Sequence, residues 1–147
     1  TGTADGPVGT ARLGRPQGLV FDAATSRLFI ADGSTIRVMA ADRSVQTIAG
    51  SPTQTGLVDG AGQAARFLSP RGLILAEDGA LRLVDGPFVR RVTPAGQVTS
   101  VGQQGERRRV DGAASVASFA SPSSLASAPG GLTYVVDGDA LRILEAD

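Results

Sequence analysis

Apolar and polar residues alternate in short runs along the whole chain, and each run is cut off by a cluster of turn residues. Alternation with a period of two suits a half-buried strand, and no stretch of ten or more residues carries the 3.6-residue period of an amphipathic helix. First runs lie at 19–21, 73–76 and 125–128, second runs at 27–31, 80–84 and 132–136, and third runs at 36–39, 89–92 and 141–144. A fourth run appears only twice, at 45–50 and 98–102. Between first and second runs stand residues 23–26, 77–79 and 129–131, each a plausible hairpin connection. Every second run closes on an Asp-Gly pair, Asp32-Gly33, Asp85-Gly86 and Asp137-Gly138. Glycine there is expected to supply a positive φ, and aspartate can bond its own backbone two residues on. The pattern predicts an all-β chain of eleven strands.

The runs are themselves parts of a longer period. Asp5-Gly6, Asp59-Gly60 and Asp111-Gly112 are 54 and 52 residues apart. Each is followed by Ala11-Arg12-Leu13, Ala65-Arg66-Phe67 or Ala117-Ser118-Phe119, then by Pro16-Gln17-Gly18-Leu19, Pro70-Arg71-Gly72-Leu73 or Pro122-Ser123-Ser124-Leu125. Self-similarity at this spacing decides architecture before any local motif is read. Four antiparallel strands per unit describe the blade of a β-propeller better than a sandwich or a barrel.

The ordered set of Asp-Gly, Ala-x-Phe, Pro-x-Gly-Leu, a strand ending in Asp, Ile-Arg-x-Ile and Val-x-Thr-Ile-Ala-Gly resembles the NHL repeat. The likeness spans essentially the whole chain and is similar to the repeats of many bacterial surface proteins. It implies three NHL-like blades in one half-propeller domain, at about 1–51, 52–104 and 105–147, the last lacking its outer strand. It also implies an extracytoplasmic location. Leu13, Ser124 and Pro87-Phe88 depart from the pattern, as diverged copies do.

Three blades are half of a six-bladed ring, and an open half exposes more apolar surface than soluble monomers usually tolerate. The simplest expected solution is a homodimer in which blade 1 of each chain meets blade 3 of the other. The alternative is that the remaining blades belong to a longer propeller. With no fourth run in the third copy, residues 141–144 are expected to form an exposed edge unless a partner covers them.

Composition narrows the chemistry. The chain has 147 residues, 41% of them hydrophobic, and its 14 basic residues, all Arg, balance 14 acidic ones. There is no His, Cys, Lys or Asn. A Ser-His-Asp or Cys-His catalytic pair, a thiolate nucleophile, a lysine Schiff base and an ordinary zinc site are therefore excluded for this chain. No apolar run approaches the roughly 18 residues of a membrane span.

The remaining candidates are charged positions. Asp5, Asp59, Asp111, Asp32, Asp85 and Asp137 recur once per copy, but each precedes glycine and none forms an Asp-x-Asp-x-Asp calcium loop, so turn-building is the expected role. Arg37, Arg90 and Arg142 follow the second group of Asp by five residues and are expected to pair with the repeated carboxylates rather than bind an anion. Gly60-Ala61-Gly62-Gln63-Ala64-Ala65 matches a dinucleotide fingerprint, yet Pro70 follows too soon for a useful helix. Glu106-Arg107-Arg108-Arg109 is the strongest charge run, a possible nucleic-acid contact without an aromatic neighbour to stack a base.

The expected function is a non-catalytic binding and assembly scaffold, without cofactor or metal, presenting loops or a central channel to a protein or glycan partner. Two alternatives remain: a metal-dependent lyase or lactonase, for which only carboxylate ligands are present, and an RNA-binding module using Arg107, Arg108 and Arg109.

Overall fold

The alternating runs become strands because each places its apolar side chains on sheet faces that pack against a neighbouring sheet. A computed structural model describes residues 2–102, 110–113 and 115–145. Blade 1 is the meander β1 (Pro16–Asp22), β2 (Arg27–Asp32), β3 (Thr35–Met39) and β4 (Val45–Gly50). Blade 2 comprises β5 (Gly60–Ala61), β6 (Pro70–Leu75), β7 (Leu81–Asp85), β8 (Phe88–Val92) and β9 (Gln97–Val101), in the spatial order β5-β9-β8-β7-β6. Blade 3 holds β10 (Gly112–Ala113), β11 (Pro122–Ser127), β12 (Thr133–Asp137) and β13 (Ala140–Glu145), in the order β10-β13-β12-β11. The two short 3-10 turns, Gly62–Ala64 and Pro129–Gly131, are the helical elements among the described residues.

The described residues thus form thirteen strands rather than the expected eleven. The two additions, β5 and β10, are two-residue segments beside the Asp-Gly pairs and carry no apolar period to betray them. Asp-Gly in the first two copies returns to the fourth strand of its own blade: Gly6 bridges Val45 antiparallel, and Gly60 pairs with Val98 in the same sense. In blade 3 Gly112 and Ala113 instead pair parallel with Leu144 and Glu145. The directions agree, since a segment antiparallel to the fourth strand of a meander runs parallel to the third. Where no fourth strand lies beside β13 among the described residues, the loop keeps its direction and moves one place inward. The expected bare edge at 141–144 is corrected accordingly: its far end carries β10.

First strands of adjacent blades lie against one another, each with a register irregularity near its start. Gly18 permits this approach, because a Cβ there would stand 3.2 Å from the Gly72 amide nitrogen. At the end of β4, Gly50 is held at φ +88°, and a Cβ would meet the Ser34 carbonyl oxygen at 2.3 Å and the Phe67 ring at 2.9 Å. Only glycine fits that corner.

Directly opposed residues on neighbouring strands share a sheet face. One face of blade 1, with Phe29, Ala31, Ile36 and Ala49, packs on the face of blade 2 that carries Leu73, Leu81, Leu83 and Val92. Phe67 from the connecting loop is driven between them with no exposed surface. A second seam joins Val89 and Val101 of blade 2 to Val135 and Leu144 of blade 3, with Phe119 as the loop's wedge.

Candidate functional site

Each blade is locked by the same three-residue clasp. The hairpin after the second strand turns the chain so that the arginine five residues beyond the aspartate lies beside that carboxylate. Arg37 places Nη1 3.0 Å from Asp32 and Nη2 2.7 Å from Asp5. The same two nitrogens also donate to the carbonyl oxygens of Arg12 and Ala4 at 2.6 and 2.7 Å. Arg90 repeats this with Asp85 at 3.1 Å and Asp59 at 2.7 Å, and its guanidinium lies 5.2 Å from the centre of the Phe67 ring. Arg142 joins Asp137 at 3.3 Å and reaches Asp111 through Nε at 2.6 Å.

The carboxylates have further partners. Asp32 accepts the backbone N–H groups of Gly14 and Arg15 at 3.0 and 2.6 Å, and Asp85 those of Leu68 and Ser69 at 2.9 and 2.7 Å. Ala120 donates its N–H to Asp137 at 3.0 Å. Asp5 accepts the N–H and hydroxyl of Thr47, and Asp59 those of Ser100. Every clasp therefore ties an inter-blade loop to the second and third strands of its blade, and the first two clasps also hold the fourth. Burial pushes the Asp5 carboxyl up, but the Thr47 N–H and the Arg37 guanidinium outweigh it and hold the group below the ordinary range. At Asp85 burial wins over the Ser69 N–H and Arg90, and its carboxyl lies above that range.

All nine repeated Asp and Arg positions are thus engaged within clasps, and the turn-building role expected for the six aspartates is corrected to one of joining segments 16–42 residues apart. The region from Gly60 to Ala65 contains one 3-10 turn and no longer helix, which removes the dinucleotide reading. Arg107, Arg108 and Arg109 lie outside the described residues. Among the described residues no group of three His, Cys, Asp or Glu is placed to hold a metal ion.

Two outer faces remain uncovered. On blade 1, Leu19 and Phe21 are each 60% exposed, and Leu13 is partly exposed at the position that Phe67 and Phe119 fill in the seams. On blade 3, Leu141 is 67% exposed, with Tyr134, Val136 and Ile143 beside it on the same face.

A third feature was not apparent from the recurring motifs. Between the first two turns of blades 2 and 3 lies a hollow of about 450 Å³ lined by Glu77, Asp78, Arg82, Arg91, Thr99 and Gly130. Arg82, 5% exposed, donates from Nη1 to the Thr133 hydroxyl and to the Gly131 carbonyl at 3.3 Å. Arg91 pairs with Asp78 at 2.7 Å, which holds the Asp78 carboxyl below the ordinary range. Aligning the copies on Asp32, Asp85 and Asp137 would have exposed it: Arg82 occupies the place of Phe29 and Tyr134.

This architecture is that of a β-propeller, and solved structures carry the same arrangement. The chain is similar to a protein of unknown function from Bacteroides thetaiotaomicron, at TM-score 0.69 and 23% identity over 95% of this chain and 36% of that one. It is also similar to an auxiliary nutrient binding protein from Bacteroides ovatus, at TM-score 0.69 and 24% identity over 85% of this chain and 36% of that one. Virginiamycin B lyase from Staphylococcus aureus matches at TM-score 0.56 and 12% identity over 89% of this chain and 41% of the lyase. The chain therefore spans well under half the length of these structures. No family model and no curated protein matches it.

Proposed function

We propose that the chain is a non-catalytic binding and assembly module of NHL type, in which two copies close a six-bladed ring that presents loops or a central channel to a protein or glycan partner. One observation carries this reading: the two uncovered faces are the two halves of a seam that the molecule already builds twice. Blade 1 turns outward the face equivalent to the Leu73, Leu81 and Leu83 face of blade 2. Blade 3 turns outward the face equivalent to the Phe29, Ala31 and Ile36 face of blade 1. A second copy supplies each with its complement, and a two-fold axis satisfies both pairs at once.

The engagement of the repeated charges supports a structural assignment for them, leaving recognition to loops and seams. Light scattering on the purified chain tests the assembly, with twice the chain mass expected. Leu19→Asp and Leu141→Asp should each yield the single-chain mass. A wild-type monomer that unfolds cooperatively would overturn the ring. The lyase alternative predicts a stoichiometric metal after purification, and the RNA alternative predicts a salt-dependent gel shift at low salt.

A further inference from the structure

We propose that the hollow between blades 2 and 3 binds a hydroxylated carboxylate of sugar-acid size, a uronate or a glycan ending in one, with Arg82 as its anchor. The starting point is a broken rule. In the first seam the pair opposed across the second and third strands is Phe29 with Val38, both in the apolar packing between blades. Blade 2 puts Arg82 opposite Arg91 at the same place, and blade 3 puts Tyr134 opposite Ile143. Nothing in the clasp or the repeat calls for a guanidinium there.

Arg82 also differs from the other buried arginines. Arg37, Arg90 and Arg142 each touch two carboxylates. Arg82 bonds only a hydroxyl and a carbonyl oxygen among the described residues, both through Nη1; its buried Nε lacks a partner, as do those of Arg37 and Arg90, so the difference lies in the carboxylates it does not touch. Neighbouring Asp78 is bonded to Arg91 and does not pair with Arg82. The Asp78 charge acts on Arg82 across the hollow without touching it, so a cation largely withdrawn from water has no carboxylate in contact, and an arriving one supplies the planar, two-point geometry that guanidinium prefers.

The rest of the lining selects the carrier of that carboxylate. Asp78 and Glu77 are acceptors and Thr99 carries a hydroxyl, which suits a ligand rich in OH groups. The same two carboxylates repel a dianion such as phosphate more strongly than a single charge. An adjoining hollow of about 280 Å³ runs past Leu75, Ala128 and Pro129, and gives the apolar face of a sugar ring a surface to lie on. The volume lies within the range of small-molecule sites. Both walls come from a single chain, so the site exists with or without ring closure. It rests on the reading of the chain as a binding module and names the glycan chemistry.

Titration calorimetry of the full chain with D-glucuronate and D-galacturonate tests the site, with D-glucose, acetate and inorganic phosphate as comparators. At least one uronate should bind with Kd on the order of 1 mM, the affinity a ligand of about 13 heavy atoms reaches at about 0.3 kcal/mol per atom. Glucose, acetate and phosphate should bind at least about tenfold more weakly. Arg82→Met should lose about tenfold or more in uronate affinity, with its melting temperature unchanged or raised. Thr99→Val, a change on the rim, should weaken binding several-fold and serves if the first variant does not fold. Absence of uronate binding up to about 20 mM, well beyond that affinity, or equal affinity in wild type and both variants, overturns the proposal. Acetate or phosphate binding as tightly as the uronates overturns it as well. Light scattering decides ring closure separately, so failure of the sugar-acid site and failure of the assembly give different results.

Discussion

The seam between blades 1 and 2 has phenylalanine at the place where that between blades 2 and 3 carries arginine. Phe29, Ala31, Ile36 and Ala49 close the first seam over Phe67, whose ring also carries the clasp arginine Arg90. The second has a smaller cluster around Phe119 and gives the rest of its width to Arg82, Arg91 and the hollow beside them. Both seams keep their clasps, with Arg90 and Arg142 in the same role. Positions that recur hold the blades together, and the position that breaks the recurrence marks where the molecule can afford something else.

The two kinds of buried arginine give the widest test of this difference. Arg90→Met should destabilise by about 3–5 kcal/mol, because it leaves Asp85 buried without its cation. Chemical denaturation would show it, and a loss below about 1 kcal/mol would mean that Asp85 finds relief elsewhere. Arg82→Met, which removes a buried cation that no carboxylate touches, should leave stability unchanged or raise it in the same measurement.

A smaller effect belongs to the corner of the first seam. Gly50→Ala places a Cβ on the Ser34 carbonyl at positive φ and should cost at least about 1–3 kcal/mol in thermal or denaturant unfolding. An unchanged midpoint would show that the Ser34 and Phe67 side of the seam yields more easily than its burial suggests.

The smallest effect separates two carboxylates of the clasps by pH. Asp5 is held below the ordinary range, so its contribution is present above the unfolded-state value of about 3.9 and is lost as pH falls through the lower folded value. Asp85 lies above that range, so its folded form takes up a proton first and its titration has the opposite sign. Asp5→Asn should therefore be less stable than wild type near neutrality and approach it in acid, as unfolding curves taken at successive pH values would record. A stability gap that widens on acidification would reverse the assignment.

Much of the fold was legible because the repeat is carried by residues with single structural uses. Gly50 must be glycine, Phe67 and Phe119 must fill a seam, and the Asp–Arg spacing of five is the reach of one hairpin. The strand bounds follow the alternating runs to within a few residues for the same reason. β5 and β10 escaped because two-residue pairings depend on where a loop lands, which no hydrophobic period records. Arg82 escaped because recurrence draws attention to what is shared, and its significance lies in differing from Phe29 and Tyr134. Its burial and its lack of a contacting carboxylate emerge only when blades 2 and 3 are brought together.

The inward step of β10 also governs how that flank trades partners. A strand extending the meander would run antiparallel to β13 and would need the outward backbone groups of Leu144 and Glu145, which Gly112 and Ala113 already engage. The resident is only two residues long but is tethered nearby, so its local concentration is high while its grip is short. A casual encounter with another sheet edge competes against it and fails, whereas a full-length strand can pair first along the open Ala140 end and peel it away. The edge thus behaves as a latch with a threshold, set by how many consecutive residues a newcomer brings.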